Sequence, residues 1–74
     1  MFEKLKEILV EEMDISPDII KPEAELMNDL GFNSLELADL VVLCEDRFGI
    51  IFEETALPSL QTVGDVVEYL ETNS

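Results

Sequence analysis

Seventy-four residues are too few to divide into separate cores, and they bury too little to floor a deep enzyme cleft. A hydrophobic share of 47% is too high for a disordered acidic tail, so the chain is expected to fold as one domain over residues 1–74. Eighteen Asp and Glu against four Lys and Arg leave a formal charge of -14, which repels phosphate backbones and anionic headgroups and argues against nucleic-acid and membrane partners.

Phe2, Leu5, Ile8, Leu9 and Met13 recur at helical spacing among Glu3, Lys4, Lys6, Glu7, Glu11 and Glu12, which predicts an amphipathic first helix. It should end between Met13 and Ile15, because Ser16-Pro17-Asp18 is turn or helix-start chemistry. Residues 16–33 hold Pro17, Pro22 and Gly31 without a sustained period, and read as a long ordered loop anchored by Ile19, Ile20, Leu26 and Leu30. A loop of that length in a small domain points to function. The second helix is expected from Asn33 or Ser34 to Phe48, with Asn33 and Glu36 at capping-box spacing and Gly49 as the stop. "IIFEETALPSL" reads as an apolar stretch followed by one irregular helical turn before Pro58. Thr62 and Asp65 resemble a cap pair opening a last helix from Val63 to about Glu71, with Val63, Val66, Val67 and Leu70 as its buried stripe. No segment alternates as a strand does. The expected fold is all-α: a small bundle of three main helices plus one short helix, with a long loop between helices 1 and 2.

On a wheel advancing about 100° per residue, Leu37, Leu40, Val41, Cys44 and Phe48 form the core stripe of the second helix. Cys44 thereby reads as a small buried hydrophobe, and as the single cysteine it excludes an internal disulfide and a cysteine-rich metal site. Leu35, Ala38, Val42 and, at the margin, Leu43 fall outside that stripe with Glu36, Asp39, Glu45 and Asp46. Apolar residues ringed by carboxylates suit a docking face for a basic partner, though exposed apolar residues are also ordinary. No apolar run is long enough for a bilayer, and "MFEKLKEIL" lacks a signal peptide's unbroken apolar segment, so a cytoplasmic monomer is expected.

Ser34 has no chemistry of its own to drive. The chain contains no histidine, and Lys4, Lys6 and Lys21 stand at no recognisable Ser-Lys spacing. No two acids are singled out as a glycosidase pair, and "DISPDIIKPEAE" and "NDLGFNSLELAD" both miss the ligand spacing of a calcium loop. Neither catalytic residues nor metal ligands are expected. At a helix N-terminus Ser34 suits either a cap role or a site bearing negative charge, and position alone does not choose.

"LGFNSLELADLV" resembles the phosphopantetheine attachment motif of acyl carrier proteins, in which Leu-Gly is followed by Asp-Ser-Leu. The likeness extends over essentially the whole chain: helical start, long loop, serine at the head of an acidic helix, the "DRFGI" exit, a short segment and a last helix. It implies a stand-alone carrier of the type II kind, with 4′-phosphopantetheine from coenzyme A joined to Ser34 by a phosphopantetheinyl transferase. Acyl intermediates would ride as thioesters on the arm's thiol and be presented to acyl-transferring and chain-elongating enzymes of fatty acid or polyketide biosynthesis. Such a chain is a carrier and not an enzyme. Asn33, Leu35, Glu36, Ala38, Asp39, Val42, Glu45 and Asp46 match the family's recognition region, and the helices' core stripes would line a cavity that shelters the cargo. Asn33 departs from the usual aspartate: it keeps the capping oxygen and removes one charge beside the attachment site. A peptidyl or aminoacyl carrier shares the same serine chemistry, and an unmodified acidic adaptor for basic proteins is the alternative from another class.

Overall fold

The computed structural model describes residues 1–73. Three α-helices carry the fold: α1 over Phe2–Met13, α2 over Ser34–Phe48 and α3 over Val63–Asn73. Two short 3₁₀ helices join them, Pro17–Ile19 and Glu54–Ser59. The short helix expected before Pro58 is this second one, and Pro58 lies inside it. The loop after α1 is more regular than its sequence suggested, because Pro17 fixes the backbone angle that opens the first 3₁₀ turn. The last helix runs two residues beyond the expected Glu71.

Leu5, Ile8 and Leu9 from α1, Leu40 and Cys44 from α2, and Val63, Val66 and Leu70 from α3 meet in one core, with no buried polar or charged side chain among the described residues. Leu37, Val41, Phe48 and Val67 complete the expected stripes as half-buried residues at the core's edge. Of the loop anchors, Ile20, Leu26 and Leu30 are buried and Ile19 is not, at 41% exposure. Ile19 closes a turn that runs over the surface, so its apolar side chain is left facing water.

The long loop is ordered by lending its carbonyls to α3. The N–H groups of Val63 and Gly64, which a helix cannot satisfy internally, donate to the carbonyls of Ala24 and Pro22 at 2.9 and 2.7 Å. Thr62 Oγ1 accepts from Asp65 N–H at 3.1 Å, while Asp65 Oδ2 accepts from the Gln61 and Thr62 N–H groups, as the sequence pairing of Thr62 with Asp65 predicts. Gly64 is needed for this approach: a Cβ there would stand 2.9 Å from the Pro22 carbonyl oxygen. Leu26 N–H reaches Gln61 O at 2.8 Å, and Phe32 N–H folds the loop back onto Leu26 O at 2.9 Å. Gly31, at φ +77°, then turns the chain into α2 through a conformation that side chains other than glycine's rarely adopt.

Candidate functional site: the head of helix α2 and its groove

Asn33 caps α2 in an extended conformation. Its Oδ1 accepts from Glu36 N–H at 2.9 Å, and Glu36 Oε1 accepts from Asn33 N–H at 3.2 Å, so the capping box read from the sequence is formed in both directions. Asn33 therefore fills the capping role that its side-chain oxygen makes possible. Ser34 follows as the first helical residue, exposed, with no hydrogen-bond partner for its hydroxyl among the described residues. The cap satisfies Glu36 N–H and leaves the N–H groups of Ser34 and Leu35 without a partner among the described residues. These groups and the helix dipole place positive potential around the Ser34 oxygen, which fits a phosphodiester.

Beside Ser34 opens a groove of about 640 Å³. Met27 from the loop, Leu37 and Ala38 from α2, and Leu57, Pro58 and Leu60 from the connection before α3 supply its apolar lining, with Glu25, Asn28, Glu54 and Gln61 as the polar part. The cavity implied by the family resemblance was expected among the helices' core stripes. Only Leu37 of those stripes reaches this groove, and its walls are the 25–28 turn and the second 3₁₀ helix instead. Those two segments come together through the Leu26–Gln61 and Glu25–Thr62 backbone pairings, which are non-local and leave no trace in periodicity.

The structure sorts the sequence's recognition residues into two groups. Leu35 and Val42 are 76% and 61% exposed, and Ala38, Asp39 and Asp46 are exposed beside them. The carboxylates of Asp39 and Asp46 have no partner among the described residues, so this strip of α2 is bare. Glu36 and Glu45 are half-buried and already engaged: Glu36 in the cap, and Glu45 through Oε2, which accepts the Phe52 N–H at 2.8 Å. The sequence missed the contribution of α1. Glu12 and Met13 join Glu36, Asp39, Val42 and Leu43 around a second groove of about 440 Å³ on the same side of the molecule. The position of Met13 at the end of the α1 stripe was the available signal. Glu12 is held there by Arg47, at 2.7 Å, with both side chains substantially exposed.

Cys44 is fully buried, and its thiol is pushed up to about 12, first by burial and then by the charge of Glu45. No group of His, Cys, Asp and Glu with metal-site geometry occurs among the described residues, and none of the described helices is long and apolar enough to cross a membrane.

The model of the family described as "Phosphopantetheine attachment site" matches residues 3–70. Among curated proteins, the chain is 38% identical over 73 residues to an acyl carrier protein of Wolinella succinogenes, covering 99% of this chain and 96% of that protein. It is 34% identical over 71 residues to an acyl carrier protein of a Sulfurovum species, covering 96% and 95%. Among solved structures it is similar to the thermally stable acyl carrier protein from Enterococcus faecalis, with a TM-score of 0.81 and 27% identity over 99% of this chain and 92% of the other.

Proposed function

The chain belongs to the acyl carrier proteins, whose cofactor is covalent 4′-phosphopantetheine, and from that premise we propose that Ser34 is its attachment residue. The observation that carries this reading is the Ser34 hydroxyl itself: exposed, without a partner among the described residues, at a helix N-terminus whose first N–H groups are likewise unpaired among them, and opening on the apolar groove. As a family member the protein is a carrier and not an enzyme, and it works with a transferase and partner enzymes. The transferase supplies the base that this chain lacks. Ser34 Oγ would bond to the phosphorus that bears the pantetheine arm of coenzyme A as that atom's bond to the pyrophosphate bridge breaks. The nucleotide would leave with the other phosphate, and the serine proton would pass to the transferase. When bound, the group supplies a flexible arm whose thiol holds an acyl chain as a thioester.

The chain's own residues then do three things. The free N–H groups at the head of α2 stabilise the phosphodiester charge. The groove of Met27, Leu37, Leu57 and Leu60 shelters apolar cargo from water, which favours fatty acyl or polyketide intermediates. Leu35, Ala38, Asp39, Val42 and Asp46 address basic patches on acyl-transferring and chain-elongating enzymes, with charge for steering and apolar contact for holding. Asn33 and Glu36 fix where that address begins. Residues 1–74 act as one carrier domain, in the cytoplasm with those enzymes.

Incubation of the unmodified protein with coenzyme A and a broad-specificity phosphopantetheinyl transferase, followed by intact mass, tests the assignment. A single phosphopantetheine addition is expected, and it should vanish in Ser34→Ala. An addition that survives in Ser34→Ala, or no addition to the wild type, overturns it.

A further inference from the structure

Ile51 to Glu53, between α2 and the Glu54–Ser59 helix, belong to no helix, and the N–H groups of Phe52 and Glu53 and the carbonyl of Ile51 bond to side chains, while the Glu53 carbonyl accepts from Ala56 N–H at 3.0 Å. Phe52 N–H donates to Glu45 Oε2 at 2.8 Å from α2. Glu53 N–H donates to the Tyr69 hydroxyl at 3.1 Å, and that hydroxyl donates to Ile51 O at 3.4 Å, both from α3. The Phe52 ring, 7% exposed, stacks on Tyr69 with centroids 4.6 Å apart and planes 14° from parallel. This clamped link runs directly into the Glu54–Ser59 helix, which contributes Glu54, Leu57 and Pro58 to the groove beside Ser34.

We propose that Glu45 is a positioning residue for the cargo groove: by holding the Phe52 amide, its carboxylate fixes the wall that carries Leu57 to helix α2 and so sets how closely the groove encloses an acyl chain. The inference rests on the reading of Ser34 as the attachment site and departs from the family resemblance, which places Glu45 among the docking residues. A hydrogen bond from an amide to a carboxylate is stronger than one between neutral groups, and Phe52 N–H has no other partner among the described residues. Gln61 and Thr62 tie the far end of the wall to the loop and to Asp65, and Tyr69 ties the near end to α3, so the Glu45 bond is what sets the wall's distance from α2.

Amide hydrogen exchange, read residue by residue on the unmodified chain, separates the parts of this claim. Glu45→Gln keeps an oxygen for Phe52 N–H and loses the charge, whereas Glu45→Ala loses both. Exchange at Phe52 is expected to rise about tenfold in Glu45→Ala, the share of one charge-assisted hydrogen bond, and to return towards wild type in Glu45→Gln. The same proteins are then loaded from octanoyl-coenzyme A by the transferase, with intact mass to verify one addition, and thioester cleavage by hydroxylamine is followed. Cleavage severalfold faster in Glu45→Ala, restored in Glu45→Gln, is the expected result. Equal Phe52 exchange in all three proteins, or equal cleavage in wild type and Glu45→Ala, overturns the proposal. Failure to load speaks against the Ser34 assignment and leaves the exchange comparison to decide on Glu45. If Glu45→Ala does not fold, the wild type decides: a Phe52 amide exchanging as fast as that of Ile51, whose N–H has no partner among the described residues, overturns it, and a protected one supports it.

Discussion

Ser34 and Cys44 share helix α2 and have opposite fates. Ser34 stands at its exposed head, and Cys44 is fully buried in its stripe. Burial raises the Cys44 thiol from its ordinary 9.0 to about 12, so it carries no thiolate at neutral pH and does not compete for acyl groups. The same shift has a consequence for stability. In the unfolded chain the thiol ionises near 9.0, while in the folded chain it stays neutral to about 12. Stability that is complete below pH 9 is therefore lost as pH rises towards 12, by about 1.4 kcal/mol per unit. Chemical unfolding of wild type and Cys44→Val from pH 8 to 11 should show the two curves diverging above pH 9, with the variant falling less. Parallel curves would mean that Cys44 is not the group being titrated. At this scale the sequence was legible where partners are close along the chain. The Asn33–Glu36 box follows from a spacing of three residues. The Glu45–Phe52 bond crosses a helix end and a bend, and no spacing rule announces it.

The three α-helices were readable from apolar periodicity and end signals, because each buries one stripe in the shared core. What holds the loop was not readable, since it depends on backbone groups that pair regardless of side chain. Pro22 and Ala24 cap α3 with their carbonyls, and the Gly64 site shows how tightly. Alanine at position 64 has two opposed effects. It favours the helix by about 1 kcal/mol through propensity. It also drives a Cβ to 2.9 Å from the Pro22 carbonyl oxygen, a backbone atom that moves only by shifting the loop. Forced overpacking of this kind costs about 1–3 kcal/mol, and the Gly64–Pro22 hydrogen bond at 2.7 Å weakens with it. Gly64→Ala should therefore lower the melting temperature, with faster amide exchange at Val63 and Gly64's replacement than at Leu40. A stabilised Gly64→Ala would show that the loop yields freely. The groove beside Ser34 was hidden from the sequence for the same reason: Met27 and Leu57 become neighbours only after the loop is strapped to α3.

A formal charge of -14 on a molecule of 27 × 21 × 20 Å sets folding against function. Compaction brings the carboxylates together, and Arg47–Glu12 is an ion pair at which attraction offsets this. Screening reaches about 30 Å at 0.01 M salt, so every charge there feels every other, and about 10 Å at 0.1 M, so only neighbours interact. The melting temperature should climb steeply between those concentrations and flatten above them. A curve without slope would mean that the acids are spaced widely enough not to repel. Asp39→Lys separates the two uses of the charge. It takes the formal charge from -14 to -12 at an exposed position without a partner among the described residues, so it should raise the melting temperature at low salt, with the gain shrinking as salt is added. The same change reverses a charge on the bare strip between Leu35 and Val42, so the transferase's KM for this protein should rise, most at low salt. If Asp39→Lys left KM unchanged while stabilising the fold, the acidity of α2 would serve solubility alone, and docking would have to rest on the apolar residues Leu35, Ala38 and Val42. A rise in both, stability gained and partner affinity lost, is what a surface kept acidic for its partners, at the expense of its own stability, requires.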